Sequence, residues 1–391
     1  MSFSGQNAYD FTERISIPRL IGSDGWIKAR KMIKNEFKQY GYEIRTHEFK
    51  SSMFITNVLL RVLMIPLLTI IFLIVWGYFF FPWLSLILSI IVLCIIPLIG
   101  KYASSGTDYK EPKEGINSQN VFAELKSLNS KIHIVFMGHY DTKSQVLSIV
   151  QRVICYVLLF VGGITVCILS IIGSILKIFF ITNPILSLII FICGIITAIV
   201  SVLLMANAVQ NKSPGSLDNG TAVATLLELS RVFKENPPEN IDLTFLCTDA
   251  EEQGLLGASA FIQEFEEKYD KNNTYFINFE APGAKKGKLG ILTSFGMPKK
   301  QYTSKKLNEL AIKAAEELKI EIKKQYWPIG LQADHNPVMN HGYKATMLGA
   351  MAMSVGVHTP NDNMENVSSE KLEEVGRICE KIIDLLDGEL S

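Results

Sequence analysis

The chain has no excess of charge of either sign: 38 Lys and Arg stand against 38 Asp and Glu. A surface built to hold a phosphate backbone needs a positive excess, so nucleic acid is not an expected partner. Paired cysteines are missing too. The six, Cys94, Cys155, Cys167, Cys193, Cys247 and Cys379, show neither disulfide nor zinc-knuckle spacing, and four lie in strongly apolar stretches. A disulfide scaffold is therefore not expected. There is no solenoid-type repeat. The start, MSFSGQNAYDFTERISIPR, lacks an apolar core segment, which predicts no cleavable secretory signal. Charge disappears altogether from Val62 to Gly100.

What fills that gap is apolar. The whole chain is 48% hydrophobic, high for a soluble enzyme, and this points towards lipid. A bilayer core takes about 20 apolar residues per helix. The stretch 62–100, with Gly77 and Pro82 near its middle, fits two helices joined by a tight turn; the alternative is a deeply buried soluble hairpin. A second tract, Val153 to about Ala206, is divided by Lys177 and Asn183-Pro184 into two further spans. Each tract must return the chain to the side it left, because both interrupt one domain: the first separates the strand patterns at 42–49 and 120–125, and the second separates His139 from Asp218. The expectation is two transmembrane helical hairpins, 57–100 and 147–208, four transmembrane helices in all. They interrupt one domain formed by 1–56, 101–146 and 209–391, and they make the lipid bilayer a partner.

That domain alternates strand and helix patterns, which predicts an α/β fold with a mixed central β-sheet flanked by helices. Asp24 is placed to cap a helix to about Tyr40, Gly41 ends it, and Tyr42–Phe49 alternates like a strand. Further strands are expected at Asn120–Leu125, Ile132–Met137, Ile241–Cys247, Tyr275–Phe279, near Ile320–Tyr326 and at Tyr343–Met351. Helices are expected from Thr221 to about Phe233, over roughly Ser304–Leu318 and from about Ser368 to Leu386, with a polar turn at Ala333–Pro337.

The chemistry gathers where these strands end. Ile241 to Cys247 runs into Thr248-Asp249-Ala250 and the paired acids Glu251 and Glu252, with Gly254 and Gly257 freeing the backbone to turn. Adjacent acids on an extended segment point in different directions, so one can bind a metal while the other handles a proton. His139, Asp218, Glu280 and His358 occupy similar positions, just past an apolar strand or at a loop-to-helix junction. In open α/β sheets such ends border the ligand crevice. Taken singly, Asp218 could be a helix cap, Glu280 a surface acid, and His139 or His358 a hydrogen-bonded core histidine. Together, imidazoles and carboxylates suit a borderline divalent metal such as zinc, and a carboxylate between two such ions can bridge them. Asp218, at a glycine-flanked helix start, is the best bridging candidate.

Several segments, GHYDT at 138–142, LDNGTAVATLLELSR at 217–231, DAEEQGLLGA at 249–258, INFEAPG at 277–283 and HTPNDNMENV at 358–367, resemble the co-catalytic zinc aminopeptidase family. This is family twenty-eight of the metallopeptidases, which includes glutamate carboxypeptidase and glutaminyl cyclase. IPRLIGSDGWIKARKMI at 17–33 and ADHNPV at 333–338 also look like parts of it. The resemblance implies a zinc exopeptidase-like fold and two co-catalytic Zn2+ ions. His139, Asp218 and Glu280 would hold one ion; Asp218, Glu252 and His358 would hold the other. It implies further that Glu251 is the general base, passing a proton from the attacking water to the leaving amine, and that Asp141 orients the His139 imidazole. Two positions depart from the family pattern. Glu280 replaces the usual aspartate, and Val357 stands where some members carry a tyrosine that stabilises the oxyanion, leaving Tyr326 and His335 as candidates for that task.

Lys50, Arg61, Lys101, Lys143, Arg152 and Lys212 flank the spans on the enzyme side, and only Lys177 lies at a hairpin turn. The bias predicts a multi-pass integral protein of the cell membrane with its peptidase domain facing the cytoplasm. The sequon Asn219-Gly220-Thr221 beside a proposed ligand agrees, since a glycan there would obstruct the site. The expected function is a membrane-anchored zinc aminopeptidase acting on peptides. The readings set against it are a glutaminyl cyclase, a non-catalytic receptor or scaffold, and a transporter, which the lack of acids or bases at mid-span disfavours.

Overall fold

The computed structural model describes residues 2–103, 108–296, 299–327, 332–350 and 356–391, with the backbone alone for 98–103. Two compact units emerge. One comprises Met1–Ser52, Thr107–Ser144 and Gln210–Ser391; the other, Met53–Gly106 and Gln145–Val209.

The first unit is built on one mixed sheet. Its strands are β1 (Arg45–Ser51), β2 (Ile116–Leu125), β3 (Ile132–His139), β4 (Ile241–Thr248), β5 (Thr274–Glu280), β6 (Leu289–Phe295), β7 (Lys323–Trp327) and β8 (Lys344–Ala350). They lie in the order β1-β2-β4-β3-β5-β8-β6-β7, and the two-residue strand Gln301–Tyr302 pairs with β6. Neighbours from β4 through β3 and β5 to β8 are parallel, whereas β1, β2 and the β8–β6 pair run antiparallel. The expected strand to Met351 is described as far as Ala350; Met351 lies outside the described residues.

The central strands are buried on both faces, which is why they read as continuous apolar runs. Successive residues alternate sides. Val135 and Met137 of β3 join Phe122, Leu246, Phe261, Ile262 and Phe276 on one side, under the helix Leu256–Phe265. Phe136 points the other way and stacks with Phe233, Phe245 and Phe279 within about 6.3 Å, against the helix Thr221–Glu235. Asp24–Gln39 is helical as expected, but Ser23 caps it, its hydroxyl accepting from the Trp26 N–H; Asp24 is instead the first helical residue. The helices Gly5–Ile15, Leu256–Phe265 and His335–Asn340 and the strand β6 were not anticipated from sequence; the expected turn at Ala333–Pro337 overlaps the start of the third helix.

The second unit is helical. Phe54–Phe80, Ile149–Ile178 and Pro184–Ala206 are long and apolar enough to cross a membrane. The helix Pro82–Ala103, in the first expected hairpin, has a shorter apolar run, Pro82–Pro97, among its described side chains. The expectation of four such helices is thus corrected to three among the described residues. Inside this unit small residues allow close packing. A methyl group on Gly173 would meet the Tyr78 ring at 2.5 Å, and one on Gly194 would meet Val75 at 2.7 Å. The Ser85 hydroxyl donates to the Ile74 carbonyl at 2.8 Å, and the Lys177 ammonium to the Tyr78 carbonyl at 2.8 Å.

Candidate metal centre

Three parallel neighbours bring their carboxyl ends side by side. His139 is the last residue of β3, Glu280 the last of β5, and Glu251-Glu252 follow β4 after two residues. Asp218 arrives on the loop before the helix Thr221–Glu235, and His358 on the loop beyond β8, at φ +63°. The turn at Glu251 enters through Ala250 at φ +55° and leaves through Leu255 at +61°. Left-handed residues other than glycine cost about 1–3 kcal/mol each and survive where surrounding contacts over-determine them. Gly254, at φ +109°, supplies the freedom the turn needs. Gly257 acts differently: a Cβ there would lie 2.1 Å from the Asp249 carbonyl, so its role is close approach.

The side chains converge on Asp218. Its Oδ1 is 3.1 Å from His139 Nε2 and its Oδ2 is 2.9 Å from His358 Nε2, which is in turn 2.9 Å from Glu252 Oε1. Glu280 Oε2 is 3.9 Å and Glu251 Oε2 3.8 Å from His139 Nε2. Two groups of donor atoms result, His139–Asp218–Glu280 and Asp218–Glu252–His358, each within 4.8 Å. Ligands about 2.0 Å from a tetrahedral ion stand about 3.3 Å apart, so a spacing near 3 Å and a nitrogen–carboxylate donor set fit a divalent ion such as zinc in each group. Asp218 makes no side-chain cap bond, and both histidines face carboxylates.

Neighbouring residues hold this arrangement in register. His139 Nδ1 donates to the Asp141 backbone carbonyl at 3.1 Å, which leaves Nε2 as the free donor atom. The Asp141 carboxylate lies 3.5 Å from the ring but accepts the Glu251 and Glu252 N–H groups at 3.0 and 3.1 Å. Asp141 thus ties the imidazole to the paired acids. Asp362 does the same on the opposite side, accepting from the N–H groups of Leu217 and Asp218 at 2.8 and 3.2 Å. Asp249 accepts from Trp26 Nε1 at 2.7 Å and from the Gln119 and Ala250 N–H groups at 2.9 Å each. Arg19, fully buried, donates to the carbonyls of Tyr140, Pro214 and Gly215 at 2.7, 2.7 and 2.9 Å, joining the loop after His139 to the loop before Asp218. Motifs quoted above contain Arg19, Asp249 and Asp362, yet nothing in their spacing reveals what they hold. A charged residue inside an otherwise buried stretch was the available signal.

Burial dominates the electrostatics. It pushes the Glu251 carboxyl well above the usual range, and Glu252, Glu280 and Asp334 add to the push against His139. Glu280 rises to about 8 by burial, with Asp218 and Asp334 adding. Burial opposes ionisation of Glu252 as well, but His358 and Lys143 hold it down to about 2. Burial lowers the Arg19 guanidinium to about 10. The two oxyanion candidates differ in their surroundings. Tyr326 donates its hydroxyl to the Gly296 carbonyl at 3.0 Å, and His335 packs edge-on to Phe295 at 5.3 Å.

Residues 201–383 match the model of peptidase family M28. This is the family whose motifs the sequence resembles. Aminopeptidase YwaD of Bacillus subtilis (strain 168) is 29% identical over 172 residues, 42% of this chain and 36% of that protein. A vacuolar membrane protease of Schizosaccharomyces japonicus is 46% identical over 70 residues, 18% of this chain and 8% of its own length. The chain therefore spans about a third or less of the length of these relatives. Among solved structures, a zinc aminopeptidase from Bacillus subtilis superposes with a TM-score of 0.57 at 15% identity, covering 98% of this chain and 95% of that one. A glutaminyl cyclase from an Acidobacteriales bacterium gives 0.56 at 14%, covering 100% and 96%. These likenesses establish the shared fold, a mixed sheet flanked by helices.

Proposed function

We propose that the chain is an integral membrane zinc aminopeptidase, hydrolysing peptides from their amino termini. The observation that carries the reading is Asp218: its two oxygens face two histidines, each in its own donor group, with Glu251 beside them. His139, Asp218 and Glu280 would hold one zinc ion, and Asp218, Glu252 and His358 the other. When bound, these ions would polarise the scissile carbonyl and lower the pKa of water towards about 7. Glu251 accepts the proton of the attacking water and delivers it to the leaving amine nitrogen; burial raises its proton affinity, which suits a base working near neutrality. Asp141 fixes the Glu251 backbone so that the carboxylate is held in place before substrate arrives.

The apolar helices support membrane insertion, and the basic residues flanking them support a cytoplasmic peptidase domain in the cell membrane. The state of Asn219 favours the same side. Its amide is buried and donates to the Phe279 carbonyl at 2.8 Å and to Glu280 at 3.1 Å, leaving no room for a glycan.

The test is Glu251→Gln in full-length protein purified in detergent. Peptide hydrolysis is expected to fall about 10³-fold with bound zinc unchanged. Undiminished hydrolysis would remove Glu251 as the base. A glutaminyl peptide belongs in the same assay, because a cyclised product in place of hydrolysis would move the assignment to acyl transfer.

A further inference from the structure

The helix Asp24–Gln39 buries its apolar side and turns a cationic one outward. Arg30, Lys31 and Lys34 cover about 100° of its circumference. Arg30 and Lys34 are half-buried, whereas Lys31 is exposed. These three cations form one wall of a cavity of about 410 Å³. Glu48 of β1 and Asn117 and Gln119 of β2 stand among its other lining residues.

The wall is short of negative charge. Among the described residues none of the three cations has a carboxylate as ion-pair partner. Arg30 instead lies over the Trp26 ring, 4.5 Å from its centroid, and Lys34 Nζ donates to Gln119 Oε1. Glu48, the one acid in the lining, accepts from Gln119 Nε2 at 3.0 Å. Burial and the nearby Arg30 lower the Lys34 pKa, and Glu48 offsets them only in part. A partly desolvated cation without a counter-ion is unfavourable, and an incoming anion relieves it. Three cations against Glu48 leave a surplus of about two charges, which matches a phosphate monoester near pH 7. Arg30 presents a planar fork for two oxygens, and the two ammoniums act as point charges.

We propose that this cavity binds a phosphate monoester, held by Arg30, Lys31 and Lys34. Its volume leaves room for part of the group that carries the phosphate. None of the lining residues is a metal donor, so the site stands independently of the hydrolase reading. The same chemistry is offered by the headgroup of phosphatidic acid and by a soluble phosphate ester.

Full-length zinc-loaded protein in lipid nanodiscs is titrated with inorganic phosphate by isothermal calorimetry, in discs of phosphatidylcholine alone and in discs that also contain phosphatidic acid. In the phosphatidylcholine discs phosphate should bind, and Lys31→Glu should weaken that binding about tenfold or more. Lys31 is exposed, so this substitution leaves the fold intact. The double variant Arg30→Gln/Lys34→Gln should weaken binding at least as much. Glu48→Gln, which removes the acid from the same cavity, should tighten it about threefold. Equal titrations in both kinds of disc would identify a soluble ester as the occupant, whereas phosphate binding lost only where phosphatidic acid is present would identify the lipid headgroup. Phosphate on the zinc centre would ignore Lys31→Glu and vanish when zinc is stripped. That pattern, or no phosphate binding in the phosphatidylcholine discs, would overturn the proposal.

Discussion

The two units solve opposite solvation problems. In the unit built on the mixed sheet apolar side chains fill the interior, and the charges buried there, Arg19, Asp141, Asp249 and Asp362, are partnered by backbone groups. The helical unit is reversed. Its outward residues are large and apolar, with Phe72 62%, Phe160 57% and Phe191 47% exposed, whereas Ser85, Ser89, Ser170, Ser174, Thr197 and Ser201 are fully buried. Between helices in lipid, apolar surface gives no preference for the inside, so close packing of small residues selects the interior; Ser85 also bonds to the neighbouring helix, whereas Thr197 and Ser201 bond within their own. The same amino acids thus carry opposite meanings within one chain, and the units should fail under different substitutions.

Arg19 should show the largest effect. Arg19→Met leaves the Tyr140, Pro214 and Gly215 carbonyls without donors and removes a buried cation from among Asp362, Asp141 and Asp218. A loss of about 3–5 kcal/mol is expected, read as a fall in the thermal midpoint of the purified protein together with loss of bound zinc. Arg61 makes the contrast. It donates to the Met205 carbonyl at 2.7 Å inside the helical unit, and Arg61→Met should cost about 1 kcal/mol. Equal losses at the two arginines would break the distinction.

Gly173→Leu tests the helical interior. The added side chain meets Tyr78, which overpacks the bundle at a cost of about 1–3 kcal/mol, whereas Phe72→Leu on the outward face should stay within about 0.5 kcal/mol. A stable Gly173→Leu protein with an unchanged melting profile would mean that the packing is looser than described. At the centre, Asp141→Asn replaces one of two carboxylate acceptors with an amide donor facing the Glu251 or Glu252 N–H. Activity is expected to drop about 10–100-fold, with zinc affinity weakened and the fold intact by circular dichroism.

How much of this was legible depended on where the determinants lie. β3, β4 and β5 were readable because burial on both faces makes them unbroken apolar runs, and the chemical residues stand at their ends. The helix Gly5–Ile15 was not, since its few apolar positions, Ala8, Phe11 and Ile15, are buried only through contacts with segments more than 200 residues away. Leu256–Phe265 was obscured by Gly257, whose use is a steric one set by Asp249. The antiparallel pairing of β8 with β6 inside a largely parallel sheet has no local signature at all. The donor residues could be named from motifs, but the residues that brace them, Arg19 and Lys143 among them, act across long sequence separations that pattern does not encode.

The smallest effect at neutral pH, and the one that separates the units by chemistry, lies at His335. All six histidines, His47, His133, His139, His335, His341 and His358, belong to the sheet unit; the helical unit has none. His335 is buried against Phe295 with neither ring nitrogen hydrogen-bonded among the described residues, and burial lowers its pKa to about 3 from 6.5. The native ring therefore stays neutral where the unfolded one takes up a proton. Stability owed to the neutral ring is complete above pH 6.5 and is lost as pH falls towards 3, at about 1.4 kcal/mol per unit once below the unfolded pKa. His335→Phe removes that term and buries no unpaired nitrogen, so it should change stability at pH 7.5 by about 1 kcal/mol or less, in the stabilising direction. Between pH 6.5 and 5 the metal-stripped variant should lose less of its thermal midpoint than the unmodified protein. Parallel slopes for the two would assign the acid sensitivity to another group.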